Sequence, residues 1–310
     1  MRELVVGTRG SKLALIQTHW VIRQLEQAGI PNPIRVKEIK TKGDKKLNVS
    51  LPQLGGGGVF LAEIEQELLE GTIDFAVHSL KDIPVELPKG LTVTAIPERE
   101  HPGDVLLNKT NQTLAELPEG AVIGTSSLRR AAQLLRVRPD LHTHWIRGPI
   151  DSRIEQMKEG KFDAIILAQA GLNRLNIGQD FIAEQLPVET FVPAMGQGAL
   201  AIECRANDVD SRYILSKIND DATEKAVLTE RIFLSCFDEG EQAPIGGYAY
   251  VRDGHIHLHG MVIHSDGQQM VEHQAVGTEP EKVARDVAQV LIDQGALEII
   301  EAVKQEIQSS

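Results

Sequence analysis

The stretch FVPAMGQGALAIECR, residues 191–205, decides the fold. It is apolar and interrupted by glycines, and it follows two series in which short β-branched runs alternate with amphipathic segments. That alternation is typical of α/β layers built around mainly parallel sheets. A strand at this position would carry the chain back into the first series. The sequence therefore predicts two α/β lobes that form a hinged clamp.

The first series ends near residue 97. Strands are predicted at ELVVGT, IRVKEI, IDFAVHS and LTVTAI, and apolar residues recur at helical spacing before Gly29 and before Gly71. The second series follows EREHPGD and contains strand-like AVIGT, THWI and DAIILA. Residues near 98–103 are thus the predicted crossing between lobes.

A third region begins near residue 219. One long helical stretch leads into the alternating segments GYAYVR, HIHLHGMVIH and QMVEHQAVG, and a terminal helix is predicted from Glu281. This order is typical of a small α+β domain. The expected domains are residues 1–97 with 198–217, residues 103–193, and residues 219–310.

Composition restricts the classes of function. The chain has 310 residues and a formal net charge of −12, which argues against a general nucleic-acid or membrane-surface role. Two cysteines, Cys204 and Cys236, do not make a disulfide framework. We find neither a signal-peptide pattern nor a run that could cross a bilayer, so a cytoplasmic location is expected. A monomer is the default expectation, since there is no coiled-coil seam or long apolar edge.

Three predicted strand-to-helix junctions combine hydroxyls with arginines. A helix N-terminus offers unpaired N–H groups, and arginine adds a planar fork for carboxylates, so each junction is a candidate anion site. The alternative is that the serines are N-caps and the arginines are solvated. Three junctions in an acidic chain favour binding; they contain Thr8, Arg9, Ser11, Thr125, Ser126, Ser127, Arg129, Arg130, Arg147, Ser152 and Arg153.

Two further patterns have weaker signals. In HSLKDIP, Lys81 and Asp82 follow an apolar strand, where a carboxylate could bind a ligand N–H and stabilise a developing cation; a solvated charge pair is the alternative. His255, His257 and His259 share one face of a predicted strand, with His264 beyond it. We do not predict a metal there, because no carboxylate or thiolate partner is evident.

The motifs GTRGSKLALIQ, HSLKDIP, GTSSLRRAAQL and PAMGQGALAIECR, with the RG-to-SR turn, together resemble the porphobilinogen deaminase (hydroxymethylbilane synthase) family over nearly the whole chain. The resemblance implies a transferase of porphyrin and heme biosynthesis that joins four porphobilinogen units into hydroxymethylbilane with loss of ammonia, on a dipyrromethane cofactor. It also implies two periplasmic-binding-protein-like α/β lobes around a cleft, plus a small α+β C-terminal domain that carries the cofactor. The implied partners are small pyrrole carboxylates.

The resemblance also implies roles for individual residues. Asp82 matches the catalytic aspartate, which contacts pyrrole N–H groups and stabilises the azafulvenium cation. The positions implied to bind substrate are Arg9, Ser11, Arg147, Arg153, Arg174 and Gln197. The positions implied to bind the cofactor are Lys81, Thr125, Ser127, Arg129, Arg130 and, at the tether position, Glu241.

Several positions depart from the family pattern. Glu241, in EGEQAPIGG, stands where the family carries the cysteine that forms a thioether to the cofactor. A carboxylate cannot form that bond. It would also lie beside the acidic arms of the cofactor, and two unit charges of the same sign about 4 Å apart repel by up to roughly 4 kcal/mol at an effective dielectric near 20. Gly57, Gly103 and Pro149 replace a lysine, an arginine and an asparagine of the family. Pro149 also removes a backbone donor.

Three hypotheses follow. The first is an active transferase that holds its primer without the usual thioether, either noncovalently or through Cys236. The second is a catalytically silent member or engineered variant that binds a linear tetrapyrrole or another polycarboxylate without turnover. The third, from the layout alone, is a two-lobed anion-binding protein of the periplasmic type; the lack of a signal-peptide pattern and the third domain argue against it.

Overall fold

The computed structural model describes residues 2–41, 61–237 and 243–309. Contacts divide the chain into two units, Met1–Glu100 with Gly198–Glu224 and His101–Gln197 with Lys225–Ser310. The second unit contains the predicted second lobe and most of the predicted C-terminal domain. The domain boundaries given above stay predictions.

The described elements alternate along the chain. The strands are β1 (Leu4–Arg9), β2 (Ile34–Ile39), β3 (Phe75–Ser79), β4 (Leu91–Ala95), β5 (Asp104–Leu107), β6 (Val122–Gly124), β7 (His142–His144), β8 (Ala164–Ala168), β9 (Ile182–Leu186), β10 (Leu200–Arg205), β11 (Ile245–Arg252), β12 (His255–Ile263) and β13 (Met270–Gly277). The α-helices are α1 (Lys12–Gln27), α2 (Ala62–Leu69), α3 (Leu128–Val137), α4 (Ile150–Lys158), α5 (Gln169–Leu175), α6 (Val209–Leu215), α7 (Asp221–Ser235), α8 (Pro280–Asp293) and α9 (Ala296–Ser309). Short 3₁₀ turns cover Leu80–Asp82, Gln179–Phe181 and Ser216–Ile218.

The first unit contains a five-stranded sheet with the order β2-β1-β3-β10-β4. β1 is parallel to both β2 and β3, whereas β10 is antiparallel to β3 and β4. The predicted return strand is therefore confirmed, because residues 200–205 lie between two strands that come much earlier in the chain. One face of the sheet packs on α1 through Val21 and Leu25, and the opposite face packs on α2 through Ile64 and Leu68.

Local signals set the ends of α1 and α2. The Ser11 side chain accepts a hydrogen bond from the Ala14 N–H at 3.3 Å, so it is the N-cap of α1. Gly29 and Gly71 adopt φ values of 79° and 73° just beyond the two helices. That left-handed conformation favours glycine, which explains why both predicted helices end there.

The second unit contains another five-stranded sheet, with the order β7-β6-β8-β5-β9. β6 is parallel to β7 and β8, and β5 is antiparallel to β8 and β9. The two sheets thus share one topology, in which the fourth strand is the antiparallel one. In the first unit this strand is β10, which follows all strands of the second five-stranded sheet in the sequence. In the second unit it is β5, the first strand of that unit.

The remainder of the second unit is an antiparallel three-stranded sheet, β11-β12-β13, with α8 packed against β12 and β13. Phe233 of α7 lies in the same core as Val287 and Leu291 of α8. The prediction of two α/β lobes and a small α+β C-terminal domain is confirmed. Within the described ranges, no helix is both long enough and apolar enough to span a bilayer.

Candidate functional site

A cavity opens in the first unit where β1 and β3 end. We call it the Asp82 cavity, and its polar lining is Arg9, Ser11, Gln17, His78, Ser79 and Asp82, with Leu13, Ala14, Leu61, Ile64 and Val77 as its apolar wall. Arg9 is the last residue of β1, and Asp82 is the last residue of the turn that follows β3. The carboxyl ends of neighbouring parallel strands thus bring together residues far apart in the sequence, as ligand sites in open α/β sheets commonly do.

Hydrogen bonds hold the wall of this cavity in place. The Gln17 amide of α1 donates to the Ser79 hydroxyl at 3.1 Å, which ties the helix to the end of β3. The Ser11 hydroxyl is used as an N-cap. Lys81 and Asp82 are both exposed. The structure therefore brings together Arg9, Ser11 and Asp82, and their predicted roles toward substrate stay predictions.

Sequence reasoning missed a buried polar cluster at the same cavity. His78 of β3 and Glu203 of β10 are 5% and 1% exposed, and His78 Nε2 lies 3.1 Å from Glu203 Oε2. The other carboxylate oxygen of Glu203 is buried without a hydrogen-bond partner in the described part of the chain. Burial, followed by the charge of Glu203, raises the pKa of Glu65 on α2. The available signal was a titratable residue in the interior of a mainly apolar strand, His78 in FAVHS and Glu203 in LAIECR.

The second unit contains a buried ion network centred on Asp104, the first residue of β5. Arg129 Nη2 donates to Asp104 Oδ2 at 2.8 Å, and Arg130 Nη2 donates to Oδ1 at 2.7 Å. Burial alone would raise the pKa of Asp104, but the charges and hydrogen bonds of the two arginines outweigh it and hold the pKa well below its ordinary value. The two guanidinium groups also donate to the Val192 and Ile166 carbonyls.

Gln197 belongs to the same network. Its Nε2 donates to Asp104 Oδ1 at 2.9 Å and to the Pro102 carbonyl at 2.7 Å. The neighbouring Gly196 N–H donates to the fully buried Glu230 carboxylate of α7 at 2.6 Å, which fixes the turn that carries Gln197. Arg129, Arg130 and Gln197 therefore have partners within the protein; that they also bind ligand carboxylates stays a prediction.

Arg147 and Arg153 form a different kind of cluster. Arg147 Nη1 is buried and has no hydrogen-bond partner among the described residues. Arg153 Nε donates to the Gly148 carbonyl at 2.8 Å. Burial, and then the positive charges of Arg130 and Arg147, lower the pKa of Arg153 to about 10. Like charges held together in a half-buried place create a site that an anion would neutralise.

The hydroxyls of the second and third junctions have structural partners. Ser127 is the N-cap of α3 and accepts from the Arg130 N–H at 3.4 Å, while Thr125 Oγ1 accepts from the Ser127 N–H at 3.2 Å. Ser152 lies inside α4, whose N-cap position is Pro149. The N-cap interpretation thus describes Ser11 and Ser127. Whether Thr125 and Ser127 also contact a cofactor stays a prediction.

The remaining predicted positions are placed as follows. Arg174 lies in the last turn of α5 and is half-buried. Glu241 and Gly57 lie outside the described residues. Burial raises the pKa of the half-buried Cys236 thiol, which donates to the Ile232 carbonyl at 3.3 Å. Since the thiolate is the reactive form of cysteine, this environment does not favour Cys236 as a tether.

The histidines of β12 contact other side chains. The His257 ring stacks on Tyr250 with centroids 4.7 Å apart, and His259 Nε2 lies 3.1 Å from Glu272 Oε2. Over the ranges that the structure describes, no group of three His, Cys, Asp or Glu side chains is arranged to hold a metal ion.

Comparisons with known proteins agree over nearly the whole chain. Residues 4–212 match the family model described as "Porphobilinogen deaminase, dipyromethane cofactor binding domain", and residues 224–293 match "Porphobilinogen deaminase, C-terminal domain". The chain is 52% identical over 307 residues to porphobilinogen deaminase of Geobacillus kaustophilus, covering 99% of each protein. It is 50% identical over 311 residues to porphobilinogen deaminase of Shouchella clausii, covering 100% of each. Among solved structures, the L-cystine solute receptor of Neisseria gonorrhoeae has a TM-score of 0.40 and 12% identity, with 78% of this chain and 89% of that chain covered.

Proposed function

The chain belongs to the porphobilinogen deaminase family, and on that premise we propose that it joins four porphobilinogen molecules into hydroxymethylbilane with release of ammonia. The observation that carries the proposal is the Arg147–Arg153 cluster. Neither guanidinium forms an ion pair with a carboxylate of the described residues, although the chain has a net charge of −12. Porphobilinogen carries an acetate and a propionate, so each added unit brings two carboxylates for such cations to bind.

The same cluster fits the dipyrromethane cofactor of the family. That group carries acetate and propionate arms. Arg147 Nη1 is buried without a partner among the described residues and the pKa of Arg153 is lowered, so this is a place where the described part of the chain supplies little negative charge. Arg147 and Arg153 would hold the arms, with Arg130 adding positive charge nearby. When bound, the cofactor supplies the pyrrole end to which substrate units are added.

We further propose that the cofactor is held by charge and hydrogen bonds without a thioether. Glu241 offers no sulfur at the family's attachment position, and the other candidate, Cys236, is a half-buried thiol whose pKa is raised by burial. Arginine–carboxylate pairs are directional and charge-assisted, and they gain strength in a half-buried place. Several of them together can retain a polycarboxylate.

Asp82 is the proposed catalytic residue. Its carboxylate lines the Asp82 cavity with Arg9, where it can accept a hydrogen bond from a pyrrole N–H and stabilise the positive charge that develops as ammonia leaves. Arg9 and Ser11 can position the carboxylates of the incoming unit at the same cavity. We place the reaction in the cytoplasm and propose that the protein acts as a monomer.

Turnover of porphobilinogen tests this proposal. Protein purified from cells that make porphobilinogen is supplied with substrate, and uroporphyrin is measured after oxidation together with released ammonia. We expect four ammonia per tetrapyrrole, and a loss of 10²-fold or more in kcat in Asp82→Asn. The exposed Glu86→Gln is the matched control and should keep full activity. No tetrapyrrole from the wild-type protein would overturn the proposal.

A further inference from the structure

We propose that His78 accepts the proton lost from a pyrrole carbon in each condensation, and that Glu203 positions its ring for this task. The inference rests on the proposed function and adds a second catalytic residue to it. It starts from geometry: His78 lines the same cavity as Asp82 and Arg9, and its ring is fixed by Glu203 at 3.1 Å.

The hydrogen bond to Glu203 determines which ring nitrogen can accept a proton. An ionised carboxylate only accepts hydrogen bonds, so a neutral imidazole must present Nε2–H to Glu203. The lone pair is then on Nδ1. No described residue forms a hydrogen bond to Nδ1 of His78. The ring is therefore held in the tautomer whose basic nitrogen is not used by the protein.

Glu203 is suited to stabilise the imidazolium that forms. It is 1% exposed, and its Oε1 has no hydrogen-bond partner among the described residues, so no other described side chain engages that oxygen. A buried carboxylate behind a histidine is the arrangement that serine proteases use to orient the ring and stabilise its charged form. The strands fix this pair, because His78 lies opposite Ala201 in the β3–β10 ladder, two residues from Glu203.

Among the residues that the structure describes, few other charged groups surround His78. Glu65 approaches from α2, and its pKa is raised by burial and then by the charge of Glu203, which favours its neutral form. Arg9 and Asp82 lie at the cavity wall. From β1, the neighbouring buried residue Thr8 is not titratable. Glu203 is therefore the buried carboxylate that acts on the Nε2 side of the His78 ring.

The proton step balances as follows. The incoming aminomethyl group reacts in its protonated, ammonium form. Its C–N bond breaks and the electron pair leaves with the nitrogen as ammonia, which leaves the positive charge on the methylene carbon. The C–C bond forms from the electron pair of a pyrrole carbon in the growing chain. The C–H proton of that carbon passes to Nδ1 of His78, and then to ammonia or water, which restores the neutral ring.

Chemical rescue gives the first test. General acid–base groups contribute about 10²–10⁴-fold to a rate, so kcat of His78→Gly should fall by that factor while KM changes only a few-fold. Added imidazole should restore activity in His78→Gly and should leave Asp82→Asn unchanged. Rescue distinguishes a proton acceptor from a residue that only fills space. A wild-type protein that forms tetrapyrrole while His78→Gly keeps its kcat would overturn this inference and leave the proposed function intact.

The second test uses the purified wild-type protein and does not depend on activity. Spectra of ¹⁵N-labelled histidine rings report which nitrogen carries the proton. We expect the neutral His78 ring to carry its proton on Nε2, and we expect Glu203→Gln to remove this preference. A ring protonated at Nδ1 would overturn the inference, whatever the His78→Gly variant does.

Discussion

Asp104 and Arg130 form an ion pair that is closed to water. Arg130 donates through Nε at 3.1 Å and through Nη2 at 2.7 Å, both to Asp104 Oδ1, and Asp104 is fully buried. Arg129 occupies the other carboxylate oxygen. One aspartate thus pairs with two adjacent guanidinium groups, one at each carboxylate oxygen, and is their shared counterion.

Removing the charge of Asp104 should destabilise the protein strongly. In Asp104→Asn the two guanidinium groups stay buried without a counterion, which typically costs about 3–5 kcal/mol. The free energy of unfolding from urea denaturation measures this. Asp286→Asn, which breaks an exposed pair with Lys282 in the same unit, is the control and should cost less than about 1 kcal/mol. Equal losses in the two variants would contradict the central role of Asp104.

The same pair predicts how stability depends on acid. The pKa of Asp104 is lowered in the folded state, so its stabilising contribution is complete above the unfolded value of about 3.9 and is lost as pH falls below it. The difference in unfolding free energy between wild type and Asp104→Asn should therefore narrow from pH 5 toward pH 2. A constant difference across this range would show that Asp104 does not titrate as we describe.

Glu65 should have the opposite pH dependence. Its pKa is raised in the folded state by burial and by Glu203. Between the unfolded-state pKa and this raised pKa the folded protein binds more protons than the unfolded chain, so the protein loses stability as pH rises through that range. Glu65→Gln removes the cost of ionising a buried carboxyl. The free energy of unfolding of Glu65→Gln minus that of wild type should therefore be larger at pH 8 than at pH 4. Thermal melts at the two pH values test this, and a pH-independent difference would refute it.

Arg153 should favour ligand binding at the expense of stability. Hydrogen bonds to charged groups contribute about 1.5–3 kcal/mol, so Arg153→Gln should weaken uroporphyrin binding by roughly tenfold or more, with a smaller salt dependence. The free energy of unfolding should not decrease, because a repelling charge is removed beside Arg147. Arg285→Gln, at an exposed pair with Glu281, is the control for general charge effects. Unchanged affinity in Arg153→Gln would contradict the proposed binding role.

Much of the first unit could be predicted because its strands are short apolar runs and its helices end at glycines. The strands β5 and β9 were not predicted. β5 has only four residues and directly follows the polar crossing, and β9, IAEQL, is half polar because it lies at the sheet edge. Pairing with β8 and with each other, and not local pattern, makes these segments strands.

The candidate site shows a similar limit. The arginines of the second junction were found from their sequence motif, but their partner Asp104 lies 25 residues from Arg129, and nothing local connects the two. His78 and Glu203 are 125 residues apart. Motifs show which residue types are present, whereas only the sheet order shows which of them are consumed by internal pairs and which are left for a ligand.

The mass of the purified protein tests the central claim most directly. Wild-type protein and Glu241→Cys are both purified from cells that make porphobilinogen, and their intact masses are measured by native and by denaturing mass spectrometry. If arginines hold the cofactor by charge, the native wild type carries the mass of one dipyrromethane and loses it on denaturation, whereas Glu241→Cys retains it. A native wild-type mass equal to that of the bare chain, or an adduct that survives denaturation, would contradict the account.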